Sequence, residues 1–250
     1  MIKRDIIYMY DGSFEGFLTC VFESFKNKEE PFDIVHSEDT QPSLLPSFYI
    51  AADLEKSQRV LESIPAKMGQ EMLFFIQYAF LSCLKQKEIY ILRVMRLGYK
   101  NGEKTLSNLS DDSVLILTKA VKNLLSEAHQ FKQFIRFEDY KGILFAKIKA
   151  KNKVLQILAE HFIDRLPQEK FLIYDEANKM VCVYSKGKCS IYETQDFCMP
   201  DISKEGDVYQ ALWEKFYETI AIESRINHKL RQSHMPKRYW SNIVEMKKSL

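Results

Sequence analysis

The chain has 250 residues, of which 46 % are hydrophobic and 13 % aromatic, a composition that supports a buried core and excludes a disordered segment. Eight Gly and seven Pro are too few for a loop-rich or low-complexity chain. The net charge is only +2, but residues 11–62 hold eleven acids against four bases, whereas residues 225–250 hold seven bases against one acid. Such an asymmetry steers an anionic ligand to one face or pairs the two regions within one fold.

The five cysteines (Cys20, Cys83, Cys182, Cys189 and Cys198) are dispersed and form no CxxC. That excludes the standard zinc and iron–sulfur spacings, reads as reduced thiols, and calls for no cofactor. The N-terminus lacks a signal-peptide apolar region, and the most apolar run, Met72 to Leu84, is too short to span a bilayer. A cytoplasmic location is therefore expected.

Asp5–Tyr10 reads as a short strand stopped by Asp11-Gly12. Ser13 is a good N-cap for a helix whose Phe14, Phe17, Leu18, Val21, Phe22 and Phe25 recur at core-facing spacing. Residues 31–46 read as a loop, and 48–51 as a possible second strand. Helices follow over 53–63, 70–85, 88–97 (closed by Gly98) and 111–131 (opened by Asp111-Asp112).

The period then shortens. Residues 133–138 and 143–149 flank a turn and predict a hairpin, followed by a helix over 154–166 that ends at Pro167. Residues 171–175 and 180–185 predict a second hairpin, with a further strand over 188–193. Asp207 caps a last helix running to about Gln232. The expected class is α+β. A mainly helical region over 1–131 precedes a small antiparallel β-β-α-β-β unit over 132–193, and a long helix and basic tail occupy 207–250, all in a single domain.

Phosphate-cradling GxxxxGK[ST] and GxGxxG loops are absent, as are GxSxG and HExxH, so no catalytic motif is recognisable. Scattered polar residues at element junctions remain as catalytic candidates. His129 lies beside Glu127 and Arg136, His161 shares a helix face with Arg165, and Asp175 ends an apolar strand. Each has a plainer reading: a histidine satisfied by the local chain, a solvated helix face, and a turn aspartate bonding its own backbone. No spacing marks a metal site.

The tail is the stronger signal. Arg225, Lys229, Arg231, Lys237 and Arg238 form a cationic strip, and Tyr239 and Trp240 follow after Pro236. Cations neutralise phosphates and aromatic faces stack on bases, which makes these residues the candidate nucleic-acid contacts. Alternatively, the two rings fold back as anchors and the bases form a solvated rim or dock on an acidic partner.

Four segments occur together and in order: Tyr10-Asp-Gly-Ser-Phe-Glu-Gly-Phe-Leu-Thr19, Glu127-Ala-His-Gln-Phe-Lys-Gln-Phe-Ile-Arg136-Phe, His161-Phe…Arg165-Leu-Pro with Ile173-Tyr-Asp175, and Ile220-Ala-Ile-Glu-Ser-Arg-Ile-Asn227…Met235-Pro-Lys-Arg-Tyr-Trp240. In these the chain resembles the bacterial "probable DNA metabolism protein" family, a domain of unknown function. The resemblance implies a neighbouring radical SAM protein of DNA modification or repair as partner. In some members it also implies fusion to a uracil-DNA-glycosylase-like domain. Gln133 and Tyr174 stand where that family usually has Gly and His, which removes a His–Asp dyad at 174–175. The resulting expectation is an accessory DNA modification or repair protein that contacts DNA, the radical SAM enzyme, or both. The alternatives are a DNA-processing enzyme using His129, His161 or Asp175, and a protein–protein adaptor.

Overall fold

The structure, a computed structural model, describes residues 2–39, 43–140, 142–194 and 235–242. The chain divides into two compact units, Met1–Leu124 and Leu125–Leu250. The expected helix over 207–232 lies outside the described residues, as do Arg225, Lys229 and Arg231.

The first unit opens with β1 (Ile2–Tyr10), α1 (Phe14–Lys26), β2 (Glu29–His36) and β3 (Ser47–Tyr49). The three strands form one sheet in the order β2-β1-β3, and both pairs are parallel. A parallel pair needs a crossover connection, and α1 supplies it. That helix starts as its sequence requires: Ser13 Oγ accepts from Gly16 N at 2.9 Å, and Phe17, Leu18 and Val21 are buried. Gly12, at φ +80°, makes the turn into it. A Cβ there would lie 2.8 Å from the His36 ring, so both backbone and space demand glycine.

Helices α2 (Leu54–Met68), α3 (Gln70–Leu81) and α4 (Lys87–Asn101) follow, then a 3-10 turn and α5 (Asp112–Phe134), within which the unit boundary falls. Their buried Ile64, Met68, Met72, Ile76, Ile91 and Leu92 join Tyr8, Phe17 and Ile34 in one core. Helix α4 also carries a polar ladder onto β2. Gln86 Nε2 donates to Asp33 at 2.9 Å, Arg93 Nε to Glu30 at 3.1 Å, and Arg96 Nη1 to Glu30 at 2.6 Å.

This ladder explains the first correction. Residues 31–36, expected within a loop, belong to the strand Glu29–His36, where Glu30, an acid that looks incompatible with a sheet, is held by Arg93 and Arg96 more than sixty residues away. The helix predicted to stop before Pro65 runs on to Met68, since continuing it buries Ile64 and Met68. The helix predicted to close at Gly98 continues to Asn101. Gly98 is a packing glycine, for a Cβ there would lie 2.1 Å from Met68 Sδ.

In the second unit, β4 (Glu138–Tyr140), β5 (Ile143–Ile148), α6 (Leu155–Arg165), β6 (Phe171–Asp175), β7 (Met180–Ser185) and β8 (Lys188–Glu193) build a five-stranded sheet in sequence order. Three of its pairs are antiparallel, but β5 and β6 are parallel, because α6 carries the chain back before β6 begins. The α+β class stands, and its second sheet is mixed, not wholly antiparallel. The first predicted strand over 133–138 is mostly not strand: α5 runs through Phe134, with Phe131 and Phe134 buried at its end, residues 135–137 connect, and pairing starts only at Glu138. Phe137, Phe162, Phe171 and Tyr184 form a chain of ring contacts with centroids 4.9–5.0 Å apart for 137–162 and 171–184. Among the described residues no helix is long and apolar enough to cross a membrane.

Candidate functional site

Parallel strands β5 and β6 end side by side, and the chain leaving β5 turns through residues 149–154 into α6. Three successive amides of that turn point at buried carboxylates. Ala150 N donates to Asp175 Oδ1 at 3.2 Å, Lys151 N to Glu127 Oε1 at 3.1 Å, and Asn152 N to Glu127 Oε2 at 2.9 Å. Successive amides turned the same way make a concavity that attracts an anion. Here the protein fills it with its own side chains.

Two asparagines complete the cluster. Asn152 Nδ2 donates to Glu127 Oε2 at 2.5 Å. Asn178 Nδ2 donates to Asp175 Oδ2 at 2.7 Å and lies within 3.1 Å of Ala150 O and 3.3 Å of Asn152 O. Asp175 Oδ1 also accepts from the amides of Ala177 and Asn178, the local turn bonding that an aspartate at a strand end favours. Asp175 is fully buried and Glu127 is 3 % exposed. Burial pushes the Asp175 carboxyl above the usual range, while the bonds from Asn178 and the amides of Ala150, Asn178 and Ala177 pull it back.

The second unit's C-terminal segment joins the same cluster. Arg238 Nη1 lies 3.3 Å from Glu127 Oε1. Tyr239 packs against Phe131 and Phe134 with centroids 4.9 and 5.7 Å away, and Arg238 Nη2 donates to its hydroxyl. Trp240 Nε1 donates to Met235 O at 2.9 Å. Tyr239 and Trp240 are 1 % and 4 % exposed. Both rings are buried in this arrangement, Tyr239 against Phe131 and Phe134 of α5, which is the anchoring alternative rather than open faces for bases. Lys237 and Arg238 remain exposed on the 3-10 turn Lys237–Asn242, with Lys237 Nζ 5.8 Å from the Trp240 ring.

The three catalytic candidates are spread out. His129 is exposed and its Nε2 lies 2.8 Å from Gln133 Nε2, one helical turn on. His161 is half-buried beside Phe162, and burial with the nearby Lys132 and Arg165 charges holds its pKa below the ordinary histidine value. Asp175 is sealed in the cluster, and no described contact links it to either histidine. Among the described residues, no group of three or more His, Cys, Asp or Glu is placed to hold a metal ion.

Asn152 and Asn178 were not singled out from the sequence. Their signal was available: an Asn between Lys151 and Lys153 just before a helix, and an Asp-x-x-Asn turn after an apolar strand. What the sequence lacked was the pairing of the 150–152 turn with Glu127 on one side of the chain and with Asp175 and Asn178 on the other.

The arrangement defines an α+β protein whose second unit has a self-filled amide concavity and an anchored basic turn. The sequence profile of the family described as a domain of unknown function, DUF4130, matches residues 85–245, and the chain belongs to that family. The matched stretch contains the whole carboxylate–amide cluster and the anchored turn, while the Tyr10–Thr19 segment precedes it. No curated protein and no solved structure matches the chain.

Proposed function

We propose that this is an accessory protein of DNA modification or repair, which binds DNA through its basic C-terminal segment and works beside a radical SAM enzyme. The observation that supports the reading is the presentation of Lys237 and Arg238. They sit on a turn whose next two residues are buried, so their backbone is already ordered and contact with phosphate costs little further entropy. The expected contact is electrostatic and independent of sequence, with the rings serving as foundations. The radical SAM enzyme and a uracil-DNA-glycosylase-like protein enter as partners through the family resemblance alone.

Arg238 also touches Glu127, so Lys237 gives the cleaner test. Anisotropy of labelled duplex and single-stranded DNA should fall log-linearly with salt, and Lys237→Glu should flatten the slope by about one unit. The double change of Lys237 and Arg238 to Glu should abolish binding at moderate salt. Absence of binding at low salt, or an unchanged slope in Lys237→Glu, removes the DNA reading. Copurification with the radical SAM enzyme without DNA would then favour the adaptor.

A further inference from the structure

The first unit contains a groove of about 1130 Å³ between the β3 side of its sheet, α1 and the start of α2. All of its lining residues fall within 6–56, upstream of the stretch the family profile matches. Its floor includes Ile6 and Tyr8, and Phe48, cross-strand from Tyr8 on the same sheet face, stands 55 % exposed at its side. Leu54, 76 % exposed, closes the end toward α2. Four carboxylates line it (Glu23, Glu29, Asp53 and Glu55) against the single ammonium of Lys56. Lys56 is shared, 3.0 Å from Glu23 and 3.1 Å from Asp53, and Glu23 also meets Lys26 at 3.5 Å, whereas Glu55 is exposed beside these carboxylates.

Beside the groove runs the edge of the sheet. Ile7 N donates to Pro46 O and Ile50 N to Met9 O, so residues 46, 48 and 50 turn their backbone groups toward β1. By alternation, Ser47 and Tyr49 turn their N–H and C=O outward. Edge strands are ordinarily blunted by charge or by covering chain. Ser47-Phe-Tyr49 is uncharged, and all three residues are exposed.

We propose that this groove is a docking site for an extended basic segment of a partner protein, which adds as a strand to β3. The segment's main chain bonds Ser47 and Tyr49, its apolar side chains lie on Phe48 and Leu54, and its Lys or Arg side chains face Glu55 and Glu23. Strand addition of this kind draws affinity from main-chain bonds and specificity from alternate side chains. A groove this open exceeds the usual small-ligand pocket of roughly 300–1,000 Å³, and it has a strand edge that a small ligand would leave unpaired. The carboxylates select a cationic segment over an acidic one.

The test uses the full chain and a short fluorescent peptide in which lysine and valine alternate. Controls are a block peptide of the same composition and an alternating glutamate–valine peptide. The alternating basic peptide should bind and slow hydrogen exchange at the Ser47 and Tyr49 amides. Glu55→Lys and Phe48→Ser, both at exposed positions, should each weaken it about tenfold. No binding of the alternating basic peptide overturns the proposal. So does equal binding of the block peptide, which would reduce the effect to charge attraction, or binding with unchanged exchange at Ser47 and Tyr49.

Discussion

Both units bury carboxylates, but they satisfy them differently. In the first unit the partners are mainly side chains: the Tyr8 hydroxyl donates to Glu29, the Tyr10 hydroxyl to Glu88 at 2.8 Å, and Arg93 and Arg96 to Glu30, although Ile34 N also donates to Asp33. In the second, Glu127 and Asp175 are held mainly by backbone amides and by two asparagines. A hydroxyl can turn its hydrogen or its lone pair toward a neighbour, whereas a backbone N–H only donates. The two tyrosine bonds of the first unit therefore tolerate a change of partner, and the amide bonds of the second do not.

Replacing each glutamate by its isosteric amide should expose that contrast, with the largest effect at Glu127. Glu127→Gln keeps the shape but turns an NH₂ group toward the amide of Lys151 or Asn152. One buried donor then lacks an acceptor, and stability should fall by about 2–3 kcal/mol in denaturant unfolding. A loss below about 0.5 kcal/mol would mean that the turn relaxes freely, and the contrast between the units would fail.

A smaller effect is expected at Tyr10, which is 2 % exposed. Tyr10→Phe removes the donor to Glu88 and leaves that half-buried carboxylate one bond short, at about 1 kcal/mol near neutral pH. Double-mutant analysis with Glu88→Gln should recover much of that loss, since the amide carries no charge to desolvate.

The smallest change is one of pH dependence. Burial raises the Glu88 pKa above its ordinary 4.5, against the pull of Lys87 and the Tyr10 bond. The folded state therefore retains a proton that the unfolded chain has lost, and stability declines as pH rises from 4.5 through the folded value. Glu88→Gln should lose this term, so its stability relative to the parent should improve as pH increases across that window. A pH-independent difference between the two would show that Glu88 is not desolvated.

Much of the second unit was legible in the sequence. Strands 171–175, 180–185 and 188–193 have the predicted bounds: the first two are short apolar runs, and the turns at 176–179 and 186–187 separate the three. The N-cap Ser13 was also legible, since capping is settled within three residues of chain. The strand at 29–36 was not. Its Glu29, Glu30 and Asp33 carry the composition of a loop, and their partners come from elsewhere: Tyr8 on β1 for Glu29, Arg93 and Arg96 on α4 for Glu30, and Gln86 just before α4 for Asp33.

The sequence by itself determined the α+β class, the local start signals and the cationic character of the tail, all of which depend on neighbours within a few residues. Tertiary structure alone decided that Tyr239 and Trp240 are buried anchors and that Glu127 and Asp175 close one turn from opposite sides. Among the described residues it also placed β3 at the edge of its sheet. In each case the partner lies far along the chain, and desolvation, which decides whether a ring stacks or a carboxylate ionises, is a property of the assembled surroundings.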